Sequence, residues 1–285
     1  MSLHINTICV IGAGTMGSSI AQCCAQNGFK TILFDINTEV VTKAKTAIEK
    51  NLQQLIDKQK ISAEQKENIF SRIKFISDNK ECVADVIIEA IVEKTAAKVS
   101  LFNQLASINS KETILATNTS SLSISDMQKE VQQPQRVAGM HFFNPATVMK
   151  LVEVVKGNQT NDETVNTITE LCRQLNKVPV LCKDAPGFIV NRVARHYYLE
   201  AMKLVEEGKA TIEDVDAIME ATGFKMGPFK LMDLIGMDVN LAVSKSVYEA
   251  FNNEERFKPS PLQIDKVAKG ELGKKTGKGF YIYNA

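Results

Sequence analysis

The 285-residue chain is poor in the residues that mark several classes of protein. It has no tryptophan, only three histidines and a net charge of +1, so nothing in it favours nucleic acid or an anionic membrane as a partner. Its six cysteines form no C-x-x-C pair and lie mostly in apolar segments, so we expect reduced core thiols in a cytoplasmic protein. These residues are Cys9, Cys23, Cys24, Cys82, Cys172 and Cys182.

Charged side chains are also missing from residues 5–29, a run long enough to cross a bilayer. The run contains glycines and several Asn, Gln, Ser and Thr residues, which indicate a strand, a turn and a buried helix instead. No basic leader precedes it, so we expect neither a signal peptide nor a transit peptide.

A glycine pattern follows the first predicted strand, residues 5–11, whose side chains are apolar or β-branched almost throughout. Gly12, Gly14 and Gly17 have the spacing G-x-G-x-x-G and open a predicted helix that runs to about residue 27. In a dinucleotide-binding turn the first glycine permits the tight turn, the second lets a pyrophosphate approach, and the third lets helix and strand pack closely. The first turn of the helix, with Thr15 and Met16, offers N–H groups and a positive dipole end to the phosphates.

An acid completes this pattern. A second apolar strand, residues 30–34, ends in Asp35, roughly 20 residues after the glycines. Asp35 can accept both ribose hydroxyls of an adenosine, and its charge repels a 2′-phosphate. The sequence therefore predicts a site for NAD rather than NADP.

The remaining sequence up to residue 184 predicts an α/β domain with a Rossmann-type, doubly wound and mostly parallel sheet. A polar helical hairpin interrupts it, made of a helix at 38–60 capped by Thr38 and a second helix that starts at the capping box of Ser62 and ends near residue 71. Strands are expected near 73–75 and at 85–91, 113–117, 136–142, 150–155 and 179–182, and helices at 96–108, 123–129 and 164–176.

Beyond residue 184 the pattern has helical periodicity and almost no strand. Helices are expected at 188–207, 211–222, 239–251 and 262–269, with another region starting at Pro228. We therefore expect two domains, an NAD-binding domain at 1–184 and a helical domain for substrate binding and dimerisation at 185–285.

Among the histidines, His141 has the position of a functional residue. His4 precedes the first strand and is expected to be solvated, and His196 is expected on a helix surface or in packing. His141 ends a strand and precedes an Asn-Pro turn, on the side of an α/β sheet where ligands bind. From its position alone it is either a structural or a catalytic histidine.

Three further polar residues leave two interpretations open. Glu153 lies in an apolar strand, where it either pairs with His141 or faces water from an edge strand. Ser120 follows a strand and either donates to a substrate oxygen or belongs to an ordinary turn. Asn191, near the start of a helix, faces either a cleft between the domains or solvent.

An ordered set of motifs resembles the L-3-hydroxyacyl-CoA dehydrogenase family over essentially the full length, and most closely its bacterial 3-hydroxybutyryl-CoA dehydrogenase members. Besides the glycine pattern, the motifs are NTSSL at 118–122, HFFNP at 141–145, MKLVEV at 149–154, PGFIVNR at 186–192 and GKGFY at 277–281.

The resemblance implies four catalytic residues and no metal. His141 is expected to take the proton from the 3-hydroxyl group while C3 gives hydride to the nicotinamide of NAD, and Glu153 is expected to pair with His141. Ser120 and Asn191 are expected to hold the oxygens of the CoA thioester substrate. The other implied contacts are Asn144 near the nicotinamide, Glu93 and Lys98 at the nucleotide and CoA site, Lys58 at the CoA phosphate and Lys275 at the cofactor.

The resemblance also implies a homodimer formed through the helical domain, although the apolar residues between Met226 and Leu241 are equally suited to its core. Two other functions remain open. A β-hydroxyacid dehydrogenase of the same fold acts on a free acid, but it needs a lysine early in the second domain, where this chain has Asn191 and Arg192. A catalytically silent, cofactor-binding scaffold is the other alternative.

Overall fold

The structure is a computed structural model that describes residues 5–283, so His4 lies outside the described residues. It divides into two compact units between Asp184 and Ala185. Within residues 5–283, no helix combines the length and the apolar character that crossing a bilayer requires.

The first unit contains an eight-stranded sheet with helices between its strands, which confirms the predicted Rossmann-type fold. The strands are β1 (Thr7–Ile11), β2 (Lys30–Phe34), β3 (Ile73–Ile76), β4 (Val86–Glu89), β5 (Ile114–Thr117), β6 (Val137–Phe142), β7 (Leu151–Lys156) and β8 (Val178–Lys183). The helices are α1 (Thr15–Gln26), α2 (Thr38–Asp57), α3 (Ala63–Ser71), α4 (Thr95–Ile108), α5 (Ile124–Gln128) and α6 (Asp162–Gln174).

The strand order in the sheet is β3-β2-β1-β4-β5-β6-β7-β8. Strands β2 and β3 are added on one side of β1, and the strands from β4 onward are added on its other side, so the order switches between β1 and β4. At such a switch point the loops after neighbouring strands run in opposite directions and leave a crevice beyond the carboxyl ends of the strands. All neighbouring strands are parallel except β6 and β7. No helix lies between β6 and β7, and a parallel pair needs such a crossover, so this pair is antiparallel.

The predicted helical hairpin is present as α2 and α3. Helix α2 buries a stripe at Val41, Ala44, Ile48 and Leu52 and exposes most of its other side chains, as the helical repeat requires. The predicted cap at Thr38 is wrong, because the side chain of Asn37 accepts the hydrogen bond from the Glu39 N–H at 2.9 Å. The capping box at Ser62 is confirmed, with Gln65 as its second member.

Two predicted boundaries differ from the structure for local reasons. The strand predicted at 85–91 ends at Glu89, because the Glu89 carboxylate accepts the Ile91 N–H at 2.6 Å and turns the chain. The helix predicted from residue 188 begins at Val190, since Gly187 and Phe188 both have positive φ angles that a helix does not allow.

The second unit consists of α7 (Val190–Glu206), α8 (Ile212–Ala221), α9 (Pro228–Ile235), α10 (Met237–Ala250) and α11 (Pro261–Ala268). Its core contains large side chains such as Met202, Phe229 and Met232, none of which is exposed.

Two buried acids organise the second unit. Asp216 accepts hydrogen bonds from the first-turn N–H groups of Phe229 and Lys230 at 2.9 and 3.0 Å, and so caps α9. Asp233 accepts the N–H groups of Phe280 and Tyr281, both at 2.9 Å. The second glycine of the GKGFY motif has a steric explanation, since a Cβ at Gly279 would lie 2.0 Å from Asp233 Oδ1.

The close packing of Gly17 against the Gly12 carbonyl oxygen predicts the effect of one substitution. A Cβ at Gly17 would lie 1.7 Å from the carbonyl oxygen of Gly12, so Gly17→Ala forces helix α1 away from β1. We expect the free energy of unfolding to fall by about 1–3 kcal/mol, as overpacking does elsewhere, when measured by urea titration. Gly14→Ala is the control, because a Cβ there meets nothing within 4 Å. Equal stability losses for the two variants would contradict the steric explanation.

Candidate active site

The glycine turn connects β1 to α1 at the switch point of the sheet. Gly12 has φ of +95°, and a Cβ there would lie 2.6 Å from the Ala90 carbonyl oxygen, so only glycine fits. Gly14 has open space around its Cα. No side chain caps α1, and its first turn carries no acidic residue. The turn therefore has room, unoccupied N–H donors and a positive dipole end for an anionic group.

Asp35 is tied to this turn. Its Oδ2 accepts the Ala13 N–H at 2.9 Å and its Oδ1 accepts the Asn37 N–H at 3.0 Å. A carboxylate oxygen has two acceptor sites, so each oxygen retains capacity for a hydroxyl donor. Asp35 is half-buried, which leaves the carboxylate accessible from the crevice side.

An open pocket adjoins the glycine turn within the first unit. Its lining includes Gly14, Thr15, Lys43, Asn144 and Thr147, and it contains no acidic side chain. The residues present therefore fit a dinucleotide, with glycine N–H groups for the pyrophosphate and Asp35 for a ribose. Asn144 itself is exposed beyond the end of β6, and Met16 is half-buried in the first turn of α1.

A buried acid–base pair lies at the carboxyl end of β6. His141 and Glu153 are directly opposite each other in the antiparallel register of β6 and β7. Opposite residues in such a pair project from the same face, which explains why the His141 Nδ1 and Glu153 Oε2 atoms are 2.7 Å apart. Both side chains are buried, with exposed fractions of 8% and 1%. Strand β8 covers the outer edge of β7, so Glu153 is not on an edge strand.

This geometry assigns the imidazole tautomer. An ionised carboxylate only accepts hydrogen bonds, so Nδ1 carries the proton that it shares with Glu153, and Nε2 is the basic nitrogen. The Phe143 ring lies 4.5 Å from the imidazole, centroid to centroid, and packs against it. Burial, with the nearby Glu153 carboxylate as a smaller cause, raises the pKa of the Cys182 thiol to about 12, so no second negative charge forms beside the pair.

Ser120 belongs to the polar segment 117–121, which begins at the last residue of β5. The Ser120 N–H donates to Glu93 Oε1 at 3.1 Å, and the Thr119 hydroxyl donates to the same oxygen. Asn118 connects this segment to the next strand, since its Oδ1 accepts the Phe142 N–H at 2.8 Å. The segment is thus joined to the end of β6 one residue after His141.

Lys98 is buried, with an exposed fraction of 1%. Its Nζ atom lies 2.6 Å from Glu89 Oε1 and 3.2 Å from Glu93 Oε2. Sequence reasoning missed Glu89, although a carboxylate ending an otherwise apolar strand is the signal that drew attention to Glu153.

Lys58 forms the C-cap of α2 and lines a second open groove together with Asn51, Gln54, Pro145 and Thr147. The structure thus places the Lys58 side chain beside the turn that follows Asn144. Its lining combines Asn, Gln and Thr side chains with the apolar residues Leu55, Pro145 and Val148. It includes a second lysine, Lys60, and no acidic side chain.

Two of the predicted site residues belong to the second unit. Asn191 is the second residue of α7 and is half-buried. Lys275 forms an ion pair with Asp238, with 2.5 Å between Nζ and Oδ1. Across the part of the chain that the structure describes, no group of three His, Cys, Asp or Glu side chains is arranged to hold a metal ion.

Comparison with protein-family models matches both units. Residues 7–185 match the model described as 3-hydroxyacyl-CoA dehydrogenase, NAD binding domain. Residues 187–283 match the model described as 3-hydroxyacyl-CoA dehydrogenase, C-terminal domain.

Three relatives cover nearly all of this chain. A 3-hydroxyadipyl-CoA dehydrogenase of Escherichia coli is 46% identical over 100% of this chain, which spans only 60% of that protein's length. A probable 3-hydroxybutyryl-CoA dehydrogenase of Deinococcus radiodurans is 41% identical, with 96% of this chain and 99% of the relative covered. The crystal structure of (S)-3-hydroxybutyryl-CoA dehydrogenase from Ralstonia eutropha superposes with a TM-score of 0.93 at 38% identity, covering 99% of this chain and 100% of that one.

The resemblance found in the sequence is thereby confirmed. The glycine turn, the Asp35 carboxylate and the two matched domains identify the chain as a member of the 3-hydroxyacyl-CoA dehydrogenase family, with NAD as its cofactor.

Proposed function

We propose that this chain interconverts (3S)-3-hydroxybutyryl-CoA and acetoacetyl-CoA with NAD as the hydride carrier. The observation that carries the proposal is the buried His141–Glu153 pair, whose nitrogen and oxygen atoms are 2.7 Å apart at the carboxyl end of β6. Because β1 and β6 run in the same direction in one sheet, this pair lies on the same edge as the glycine turn. A base and a dinucleotide site on one edge are the two requirements of alcohol oxidation.

NAD, when bound, accepts the hydride from C3 of the substrate. His141 Nε2 takes the proton of the 3-hydroxyl group in the same direction of reaction. Glu153 keeps the Nδ1–H bond throughout, so the imidazole keeps its orientation. Proton uptake changes the pair from a net charge of −1 to 0, and a buried site favours the smaller net charge. In the reverse direction His141 returns this proton to the oxygen of acetoacetyl-CoA.

The polar groups around the pair suit a CoA thioester. In this proposal Ser120 holds a substrate oxygen from the segment 117–121, and Asn191 is a second substrate contact, as the family resemblance implies. The groove with Lys58 offers a cation to the CoA phosphates without an opposing acidic side chain. A free β-hydroxyacid would leave this groove without a ligand, which favours the thioester.

A second substrate follows from the relatives. The E. coli relative is named for 3-hydroxyadipyl-CoA, whose acyl chain ends in a carboxylate, whereas the D. radiodurans relative is named for 3-hydroxybutyryl-CoA. We retain 3-hydroxybutyryl-CoA as the first candidate because this chain covers 99% of the relative with that name, but only 60% of the E. coli relative.

The test is NADH oxidation by the purified chain with acetoacetyl-CoA, with 3-oxoadipyl-CoA, free acetoacetate and NADPH in parallel assays. We expect rapid loss of nicotinamide absorbance with acetoacetyl-CoA and NADH, and much slower loss with the free acid or with NADPH. Faster reaction of 3-oxoadipyl-CoA would replace the proposed substrate. Activity on free acetoacetate would favour the β-hydroxyacid dehydrogenase, and NADH binding without any turnover would favour the silent scaffold.

Removing the base should affect turnover far more than cofactor binding. We expect His141→Ala to lower kcat by about 10²- to 10⁴-fold, the usual contribution of a positioned base. NADH affinity, measured by fluorescence titration, should stay within about twofold, the scatter expected for independent sites. Glu153→Gln should give a smaller loss, because its amide can still accept the Nδ1–H bond but cannot stabilise the imidazolium charge.

The control for this series is His196→Ala, which removes an exposed histidine of the second unit whose ring packs on Phe257. We expect it to turn over at the rate of the unmodified chain. If His141→Ala remains within a few-fold of that rate, His141 is not the base.

We also propose a cytoplasmic homodimer formed through the second unit. Of the apolar residues singled out in the sequence, Met232 and Met237 are core residues, but Leu234 and Ile235 are exposed at 52% and 41%. Light scattering should give twice the mass of the chain at micromolar concentration. A single-chain mass that does not change with concentration would contradict the dimer.

A further inference from the structure

Glu89 is a buried acidic side chain at the carboxyl edge of the sheet. It has no exposed surface. Its Oε1 accepts from the Ile91 N–H and from Lys98 Nζ, both at 2.6 Å. Its Oε2 accepts from Lys98 Nζ at 2.8 Å and from the Thr117 hydroxyl at 2.7 Å. This one carboxylate therefore joins the end of β4, the first turns of α4 and the end of β5.

Lys98 extends the connection to Glu93. Its Nζ atom lies 3.2 Å from Glu93 Oε2, so one buried cation bridges two carboxylates. The other oxygen of Glu93 accepts from the Ser120 N–H at 3.1 Å and from the Ser121 hydroxyl at 3.4 Å. A continuous line of ion pairs and hydrogen bonds thus runs from the interior of the sheet to the backbone of Ser120.

We propose that Glu89 is a positioning residue that acts through Lys98 and Glu93 to hold the segment 117–121, and with it Ser120, in the conformation that receives the substrate. The proposal rests on the proposed function for the role of Ser120. In this proposal Lys98 joins Glu89 to Glu93, since its buried ammonium group is paired with both carboxylates.

The position of the network favours positioning over general stabilisation. A buried ion pair is often replaceable by apolar groups without loss of stability, so stability alone explains it poorly. Two branches of this network end on the polar segment: one runs through Glu93 to Ser120, and in the other Thr117, which donates to Glu89, also accepts the Thr119 N–H at 3.3 Å. Asn118 then connects the segment to Phe142, next to the proposed base.

Two variants separate the roles. Glu89→Gln removes the buried charge and leaves Lys98 without its main partner, so it is expected to destabilise the fold. The double variant Glu89→Gln/Lys98→Met removes both charges and keeps an oxygen that can accept the Ile91 N–H. We expect its Tm to lie closer to that of the unmodified chain, although Glu93 has lost its cation.

Asp85→Asn is the matched control. Asp85 precedes the opposite end of β4, where its Oδ2 accepts the N–H groups of Asn6 and Thr7 at 2.8 and 2.9 Å. This variant makes the same acid-to-amide change on backbone donors far along the strand from the segment 117–121. It controls for loss of stability without loss of the network.

The first readout is hydrogen exchange of peptides that cover residues 117–122, which requires no activity. We expect faster exchange in Glu89→Gln and in the double variant than in the unmodified chain, and no change in this segment for Asp85→Asn. Unchanged exchange in the double variant would overturn the proposal, even if the chain proved inactive on CoA thioesters. This readout therefore distinguishes failure of the inference from failure of the proposed function.

The second readout is kcat/KM for acetoacetyl-CoA in a cycle with Ser120→Ala. We expect the double variant to lower kcat/KM by about 10- to 100-fold when Ser120 is present, the size of effect that a misplaced contact produces. In the Ser120→Ala background the further loss should not exceed about twofold, because the contact that the network positions is already gone. Equal losses in both backgrounds, or full activity of the double variant, would show a merely structural role.

Discussion

The hydrogen bond between His141 and Glu153 is the interaction on which the site depends. A buried carboxylate without a donor or cation is strongly disfavoured, and His141 supplies Glu153 with a donor. The antiparallel pairing of β6 and β7 places the two residues directly opposite each other, and β8 covers the outer edge of β7. The change of strand direction between β6 and β7, the single antiparallel junction among the eight strands, therefore creates the buried acid–base pair. A parallel β7 would require a crossover and a different register.

A second constraint acts at the other end of the crevice, where the backbone itself forms the surface. A Cβ at Gly17 would clash with the Gly12 carbonyl oxygen and a Cβ at Gly12 would clash with the Ala90 carbonyl oxygen, while Gly14 faces open space. Asp35 holds the same turn through the Ala13 N–H, so the residue expected to select the ribose also shapes the phosphate-binding loop. The Asp35 carboxylate thus holds the turn and is also the group expected to select the cofactor.

Between these two ends, Glu89 and Glu93 use Lys98 to join the sheet interior to the segment that carries Ser120. The same physical rule recurs here, since each buried carboxylate of the sheet edge has a nitrogen partner within 2.8 Å.

The sequence by itself determined the Rossmann-type fold, the glycine turn with Asp35 and the family, because these depend on local spacing, periodicity and the order of motifs. It also singled out Glu153 as an unusual acid in an apolar strand, but it left open whether that residue meets His141 or water. Only the tertiary structure decided this, since the distance depends on which strands are neighbours and in what direction they run. The burial of Lys98 and its ion pair with Glu89 were decided in the same way. A side chain's partners across strands are contributed by residues distant in sequence, and no local pattern specifies them.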